Sequence, residues 1–367
     1  AGRMITGLRS LPIFLCLAVA TVPVYTAGDP AAAKIDALFR DVGTGIRPGV
    51  AVRVIRDGTI AFDGSYGYAE VDKRIPVTPD TAFRLASVSK QFAAMAILML
   101  AEDGALKLDD PVAKYVPELA PYDGVTIRHL VLHTGGLPDY YDSIDTSDGM
   151  PTNQDAAELL GRMASPVFPP GERYEYSNPG YDMLGPVVAA AAGMPFSAFV
   201  ETRIFAPLGM TGSRVYDERK PEIPNRAYGY AADGTGWAPD DYDALNVIIG
   251  SGGIYSTLND LARWDAALYT DELVSTAMRD LAFASGTNNA GEPLDYGFGW
   301  DVGTCAGRPC VRHGGSWVGF RTHILRIPGE RFTVILLSNF AEADTAAWAD
   351  RIVEICFGGG DGSAPTQ

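Results

Sequence analysis

Residues 83–92 read Phe-Arg-Leu-Ala-Ser-Val-Ser-Lys-Gln-Phe, and Ala-Ala-Met-Ala-Ile-Leu-Met-Leu-Ala-Glu-Asp-Gly carries the chain on to residue 104. Ala, Met, Leu and Ile dominate from about Val88 to Asp103, which predicts a helix with Gly104 as its stop. So apolar a helix is expected to be buried. Ser87 and Lys90, three positions apart at its start, share a face. A serine hydroxyl is a weak nucleophile that needs a base beside it. Lys90 is placed to be that base, and the helix N-terminus favours an anion developing at the same point. A plainer reading makes Ser87 an N-cap and Lys90 a solvated side chain. Seventeen Ser and six Lys in 367 residues give about 0.3 Ser-x-x-Lys matches by chance, so the spacing alone is weak.

Two further stretches sharpen it. Tyr176-Ser-Asn178 and His313-Gly-Gly315 have chance expectations of about 0.4 and about 0.05, and the product of all three is below about 0.01. The stretches FRLASVSKQF, LVLHTGGLPDY, PPGERYEYSNPGYDMLG, FAPLGMTGS, GSGGIYSTLNDLARW, YGFGW and HGGSWVGFR follow one another in that order. With them the chain resembles the serine β-lactamase and penicillin-binding-protein family, in its class C-like branch, over residues 30–357. That branch includes D-alanyl-D-alanine carboxypeptidases, D-aminopeptidases and esterases. The resemblance implies an α/β (α+β) fold, an antiparallel sheet built from both termini, flanked by helices, with an inserted mostly helical domain. Residues 28–95 and 290–367 are assigned to the sheet domain and 96–289 to the insertion.

Carried across residue by residue, the resemblance implies that Ser87 forms an acyl-enzyme with Lys90 as its proton-transfer partner. Tyr176 would be the general base, and Asn178 would orient Lys90 and the substrate. Backbone N–H groups of Ser87 and Ser316 would form an oxyanion hole, worth about 3 kcal/mol per donor. His313, Gly314 and Gly315 stand where many relatives carry Lys-Thr-Gly. That exchange removes a hydroxyl at Gly314 and leaves a histidine that is mostly neutral at pH 7, which weakens recognition of a substrate carboxylate. Arg321 is either a replacement partner or a surface charge. Tyr140, Tyr141, Trp317 and Phe320 are candidates for an acyl pocket, with core packing as the alternative. For Tyr176 to act as base, its pKa must fall from about 10 to about 7, roughly 4 kcal/mol. One cation at about 4 Å supplies roughly that at an effective dielectric near 20, while burial opposes it. Neutral Lys90 stays open as the base.

The rest of the chain sets bounds. A net charge of −16 argues against nucleic acid and anionic lipid as partners. Residues 11–25 form an apolar run too short to span a membrane, preceded by Arg3 and Arg9 and followed by small residues. Residues 1–27 therefore read as an export signal, which places the protein in the periplasm or outside, without stable membrane insertion after signal removal. In that setting Cys305 and Cys310 could close a hairpin disulfide; zinc binding is the competing reading. Cys356 is left odd and is expected to be buried. His129 and His133 have metal-ligand spacing but no third ligand, so His133 reads as a core histidine and no metal is expected.

Val50–Ile55, Asp57-Gly58 and Thr59–Tyr66 predict a hairpin. Thr126 reads as a helix N-cap, and Thr257 with Asp260 as a capping box. Strands are expected at Tyr296–Val302, Cys310–His313, Gly319–Ile327 and Arg331–Ser338, then a helix from about Glu342 to Cys356.

The function expected is an exported serine hydrolase cleaving small esters or amides, with no cofactor. The alternatives are a penicillin-interactive D-Ala-D-Ala carboxypeptidase, a D-aminopeptidase or weak β-lactamase, and a non-catalytic ligand-binding member. The partner is accordingly a small ester, amide, D-peptide or β-lactam. Oligomeric state is not readable.

Overall fold

The computed structural model describes residues 30–358. The expected export signal, with Cys16, lies outside the described residues. Val50–Arg56 (β1) and Thr59–Tyr66 (β2) form the expected hairpin, with Asp57 and Gly58 at φ 51° and 72°, the left-handed pair that matches strand twist. Four more strands follow late in the chain: Asp301–Cys305 (β3), Arg308–Trp317 (β4), Phe320–Ile327 (β5) and Phe332–Ser338 (β6). They assemble in the order β3-β4-β5-β6-β1-β2, every neighbour antiparallel. β1 lies beside β6, with Val50 opposite Ser338, so an early and a late segment of the chain meet in the middle of the sheet.

Alternation along the strands feeds two cores. Val50, Val52 and Val54 join Phe332, Val334 and Leu336 in one, with Ile35 and Phe39 of the helix Pro30–Phe39 and Ile352 of the helix Thr345–Phe357. Ala51, Ile335 and Leu337 join the other, which contains Phe92 and Leu98 of the helix Lys90–Glu102. Covering both faces requires apolar side chains at successive positions, hence the nearly unbroken apolar run of β6. Every residue from Lys90 to Leu100 is buried, and each buried Phe, Leu, Ile or Met contributes about 1.5–3 kcal/mol. That packing holds the helix against the cost of the charge at its first position.

Some expectations change. Tyr296–Trp300 is not strand: Gly299 turns there at φ +82, and a Cβ on it would collide with the backbone of Lys90 and Gln91. Its buried aromatics mimic a strand pattern. The last helix begins at Thr345, three residues later than expected, because Asp344 caps it by accepting from the Ala347 N–H at 3.0 Å. Thr257 caps the helix Leu258–Ala267, but no box closes, since the Asp260 carboxylate accepts from the Gly212 N–H and Ser213 hydroxyl instead. Cys305 and Cys310 are bonded to each other. Cys356 is half-buried rather than buried. Among the described residues no single helix is long and apolar enough to cross a membrane.

Candidate active site

The short strand Phe83–Arg84 leads into a 3-10 turn, Ala86–Ser89, which runs into the helix Lys90–Glu102. Ala86 sits at φ +49, a left-handed conformation unfavourable for a residue with a Cβ. The turn is pinned from β4 and β5. Thr322 donates its hydroxyl to the Leu85 carbonyl at 2.6 Å, and Gly315 is so close that a Cβ would strike that same carbonyl. Glycine at 315 is thus the condition for seating Ser87 against the sheet.

Ser87 is no cap. Its Oγ accepts from Lys90 Nζ at 3.1 Å, and the same ammonium donates to Asn178 Oδ1 at 2.8 Å and the Ser251 carbonyl at 3.1 Å. Nor is Lys90 solvated: its exposure is 0%. Burial pulls its pKa from 10.5 down to about 7, with the charge of Asp182 opposing. Asn178 reaches the ammonium because Ser177 caps the helix Asn178–Asp182, accepting from the Gly180 N–H at 3.1 Å, with Pro179 in the first turn.

Tyr176 lies beside this group, its ring centre 4.8 Å from Lys90 Nζ. Although the residue is 43% exposed, desolvation of its phenol holds the pKa above the usual 10, and a hydrogen bond with Ser87 only partly offsets it. The cation beside it does not bring the phenol toward neutrality. The ring packs on His133 at 4.4 Å between centres. His133 Nδ1 accepts from the Ser177 N–H at 3.0 Å, while its Nε2 has no partner among the described residues, so this core histidine is half satisfied. His129 Nδ1 accepts from the Thr126 N–H at 3.2 Å as part of a capping box. Both histidines thus serve backbone donors.

His313 is 3% exposed, and burial first, then the Lys90 charge, lowers its pKa to about 3. The neutral ring donates from Nδ1 to the Gly314 carbonyl at 2.7 Å and accepts at Nε2 from the Tyr296 hydroxyl at 3.0 Å. Both nitrogens are engaged within the protein. Behind Lys90 lies a group the sequence did not single out. Asp182, fully buried, accepts from the Tyr140 hydroxyl at 2.7 Å and the Tyr141 hydroxyl at 3.1 Å. Burial raises its pKa to about 6. The pattern around Asp182 offered no signal, because its partners, the adjacent Tyr140 and Tyr141, lie 42 and 41 positions away.

Two cavities meet at Ser87, Asn178 and Ser316. The smaller, about 40 Å³, is walled by Tyr141, Leu245, Ile248 and Trp317. The larger, about 520 Å³, is lined by Tyr176, His313, Gly314, Gly315, Arg321 and His323. Tyr141 and Trp317 thus line a pocket as expected. Tyr140 and Phe320 do not: both are 0% exposed and belong to the core.

The β-lactamase family model matches residues 35–357. Penicillin-binding protein 4* of Bacillus subtilis is 39% identical over 328 residues, which cover 85% of this chain and 72% of that protein. A D-aminopeptidase of Gluconobacter oxydans is 31% identical over 312 residues, covering 82% of this chain and 58% of that protein. Among solved structures, the octameric penicillin-binding protein homologue from Pyrococcus abyssi superposes with a TM-score of 0.78 at 29% identity, covering 89% of this chain and 77% of that one. Fold and relatives agree that this chain belongs to the β-lactamase family of serine hydrolases, among its penicillin-binding-protein-like members.

Proposed function

We propose that the protein is an exported serine hydrolase, periplasmic or secreted, that cleaves small esters or amides through an acyl-enzyme on Ser87. The observation that carries this reading is the buried Lys90 amine bonded to the Ser87 hydroxyl at 3.1 Å. In its neutral form that amine has a lone pair for the Ser87 proton, and burial makes the neutral form accessible near pH 7. Ser87 Oγ attacks the carbonyl carbon as its proton passes to Lys90 Nζ. The Ser87 and Ser316 N–H groups are assigned to the oxyanion. Collapse breaks the bond to the leaving oxygen or nitrogen, which takes a proton through Tyr176, itself re-protonated from Lys90. Water then repeats the sequence on the ester of Ser87 and releases the acid. Tyr176, held protonated, suits a relay better than a base. Asn178 fixes Lys90, and His313 to Ser316 form the substrate-facing edge, with His313 as a neutral wall.

A second reading, a penicillin-interactive D-peptidase, has the relatives in its favour, along with Arg321 in the larger cavity as a carboxylate partner. Release of p-nitrophenol from p-nitrophenyl acetate, lost in Ser87→Ala, tests the first reading. A stable penicillin adduct at Ser87 without ester turnover would turn the assignment to the second.

A further inference from the structure

The two cavities differ more than tenfold in volume, about 40 against about 520 Å³, and Ser87 opens into both. The acyl substituent and the leaving group of a bound substrate must divide between them. Their identities follow from the proton. An amine or alcohol leaving group needs one as its bond breaks, and Tyr176, the side chain assigned to deliver it, lines the larger cavity and not the smaller, so the site is laid out with its leaving-group side there whatever ester is used to probe it. The leaving group therefore departs through the larger space. What remains for the acyl substituent is the smaller one.

A water needs about 10–15 Å³, so the small cavity, at about 40 Å³, has room for a short group only. Its walls are fastened. The Tyr141 hydroxyl is held by the Asp182 carboxylate at 3.1 Å and lies 3.3 Å from Ser251 Oγ. Trp317 donates its indole N–H to Asn246 Oδ1 at 2.7 Å, and its ring meets Tyr141 edge-on at 6.1 Å. Ile248 is 4% exposed and belongs to the main core. Leu245, half-buried, walls the pocket without a polar anchor, and the buried Arg84 guanidinium also lines it. A longer acyl chain would have to break a hydrogen bond, displace core packing or push Leu245 aside to enter. The large cavity falls within the range of ordinary ligand sites, about 300–1,000 Å³.

We infer, on the basis of the hydrolase reading above, that the enzyme takes donors of short acyl groups, of acetyl to propionyl size, attached to bulky leaving groups. Specificity for the acyl part is set by Tyr141, Leu245, Ile248 and Trp317. The test is kcat/KM for p-nitrophenyl acetate, propionate, butyrate, hexanoate and octanoate, beside acetate esters of phenols of increasing size but matched acidity. The expected result is a fall of tenfold or more from propionate to hexanoate, with less than threefold loss along the phenol series. Leu245→Ala, checked for native circular dichroism, should raise the hexanoate-to-acetate ratio tenfold. Equal rates for acetate and octanoate, or a steep loss with phenol size, overturn the inference while leaving the hydrolase reading intact. No turnover and no mass adduct at Ser87 with any of the esters overturns both.

Discussion

Lys90 and Asp182 make the pH dependence of the enzyme a direct test of which residue is the base. With burial pulling the Lys90 pKa down to about 7, the neutral amine is well populated in mildly alkaline solution and scarce in acid. If that amine accepts the Ser87 proton, kcat/KM for p-nitrophenyl acetate falls from its alkaline plateau as the pH drops through about 7, and the limb flattens below about 6, where Asp182 takes up its own proton. Asp182 opposes the depression of Lys90, so the substitution Asp182→Asn must move the limb to lower pH. An opposite charge within about 4–6 Å shifts a pKa by about 1–3 units, and a shift of about one unit is expected here. The contrast belongs above pH 6, where the wild-type Asp182 is still ionised: there the midpoint of the variant's limb should lie about one unit below that of the wild type. Asparagine retains an acceptor oxygen for the Tyr140 and Tyr141 hydroxyls, so the fold should survive, as circular dichroism can check. The assay is initial rate from pH 5 to 10, followed at the isosbestic wavelength of p-nitrophenol. A wild-type rate still climbing past pH 9 would mark Tyr176 as the base, because desolvation holds its phenol above 10. A limb that Asp182→Asn leaves in place or raises would refute the coupling.

The substitution Tyr176→Phe should cost less than tenfold on p-nitrophenyl acetate, whose leaving group needs no proton, but about 100-fold or more on an anilide, measured as kcat/KM for both. Gly315→Ala forces a Cβ onto the Leu85 carbonyl and Thr322 hydroxyl; a loss of about 1–3 kcal/mol, read by thermal melting, should accompany reduced acylation at Ser87. Replacing Cys305 and Cys310 by serine opens a link of sequence separation 5, which should lower stability by roughly 2 kcal/mol in denaturant titration with kcat/KM unchanged.

The parts of the fold legible in the sequence are those whose cause is local. Asp57-Gly58 announces its turn because only certain residues tolerate two left-handed conformations in succession. The helix after Ser87 is visible because its apolar residues have no polar face to confuse the period. Tyr296–Trp300 misled because burial of alternate aromatics is shared by a strand and by an irregular segment bent at Gly299. Ser87, Lys90, Tyr176 and Asn178 were readable as short motifs, and the structure brings them together. Asp182, by contrast, meets Tyr140 across 42 positions, and Tyr141 meets Ser251 across 110, distances at which side-chain partnership leaves no pattern. The neutrality of His313 follows from residue type, but its engagement by Tyr296 does not. Tyr140 and Phe320 were drawn to the pocket by their chemistry and belong instead to the core.

The joining of β1 to β6 also governs when the protein can fold. Gly49 N–H donates to Asn339 Oδ1 at 2.7 Å across 290 positions of chain. Closing a loop of that length costs about 5 kcal/mol of chain entropy before any contact is made, and a topology dominated by such pairings folds slowly. A polypeptide emerging N-terminus first presents β1 and β2 as an isolated hairpin, marginal in water, with no sheet to join. Phe332–Ser338 must arrive before β1 gains its second neighbour. Assembly therefore awaits the synthesis of β6. Truncation before Phe332 would remove the central partner of β1 and leave a hydrophobic strand edge open to association between chains.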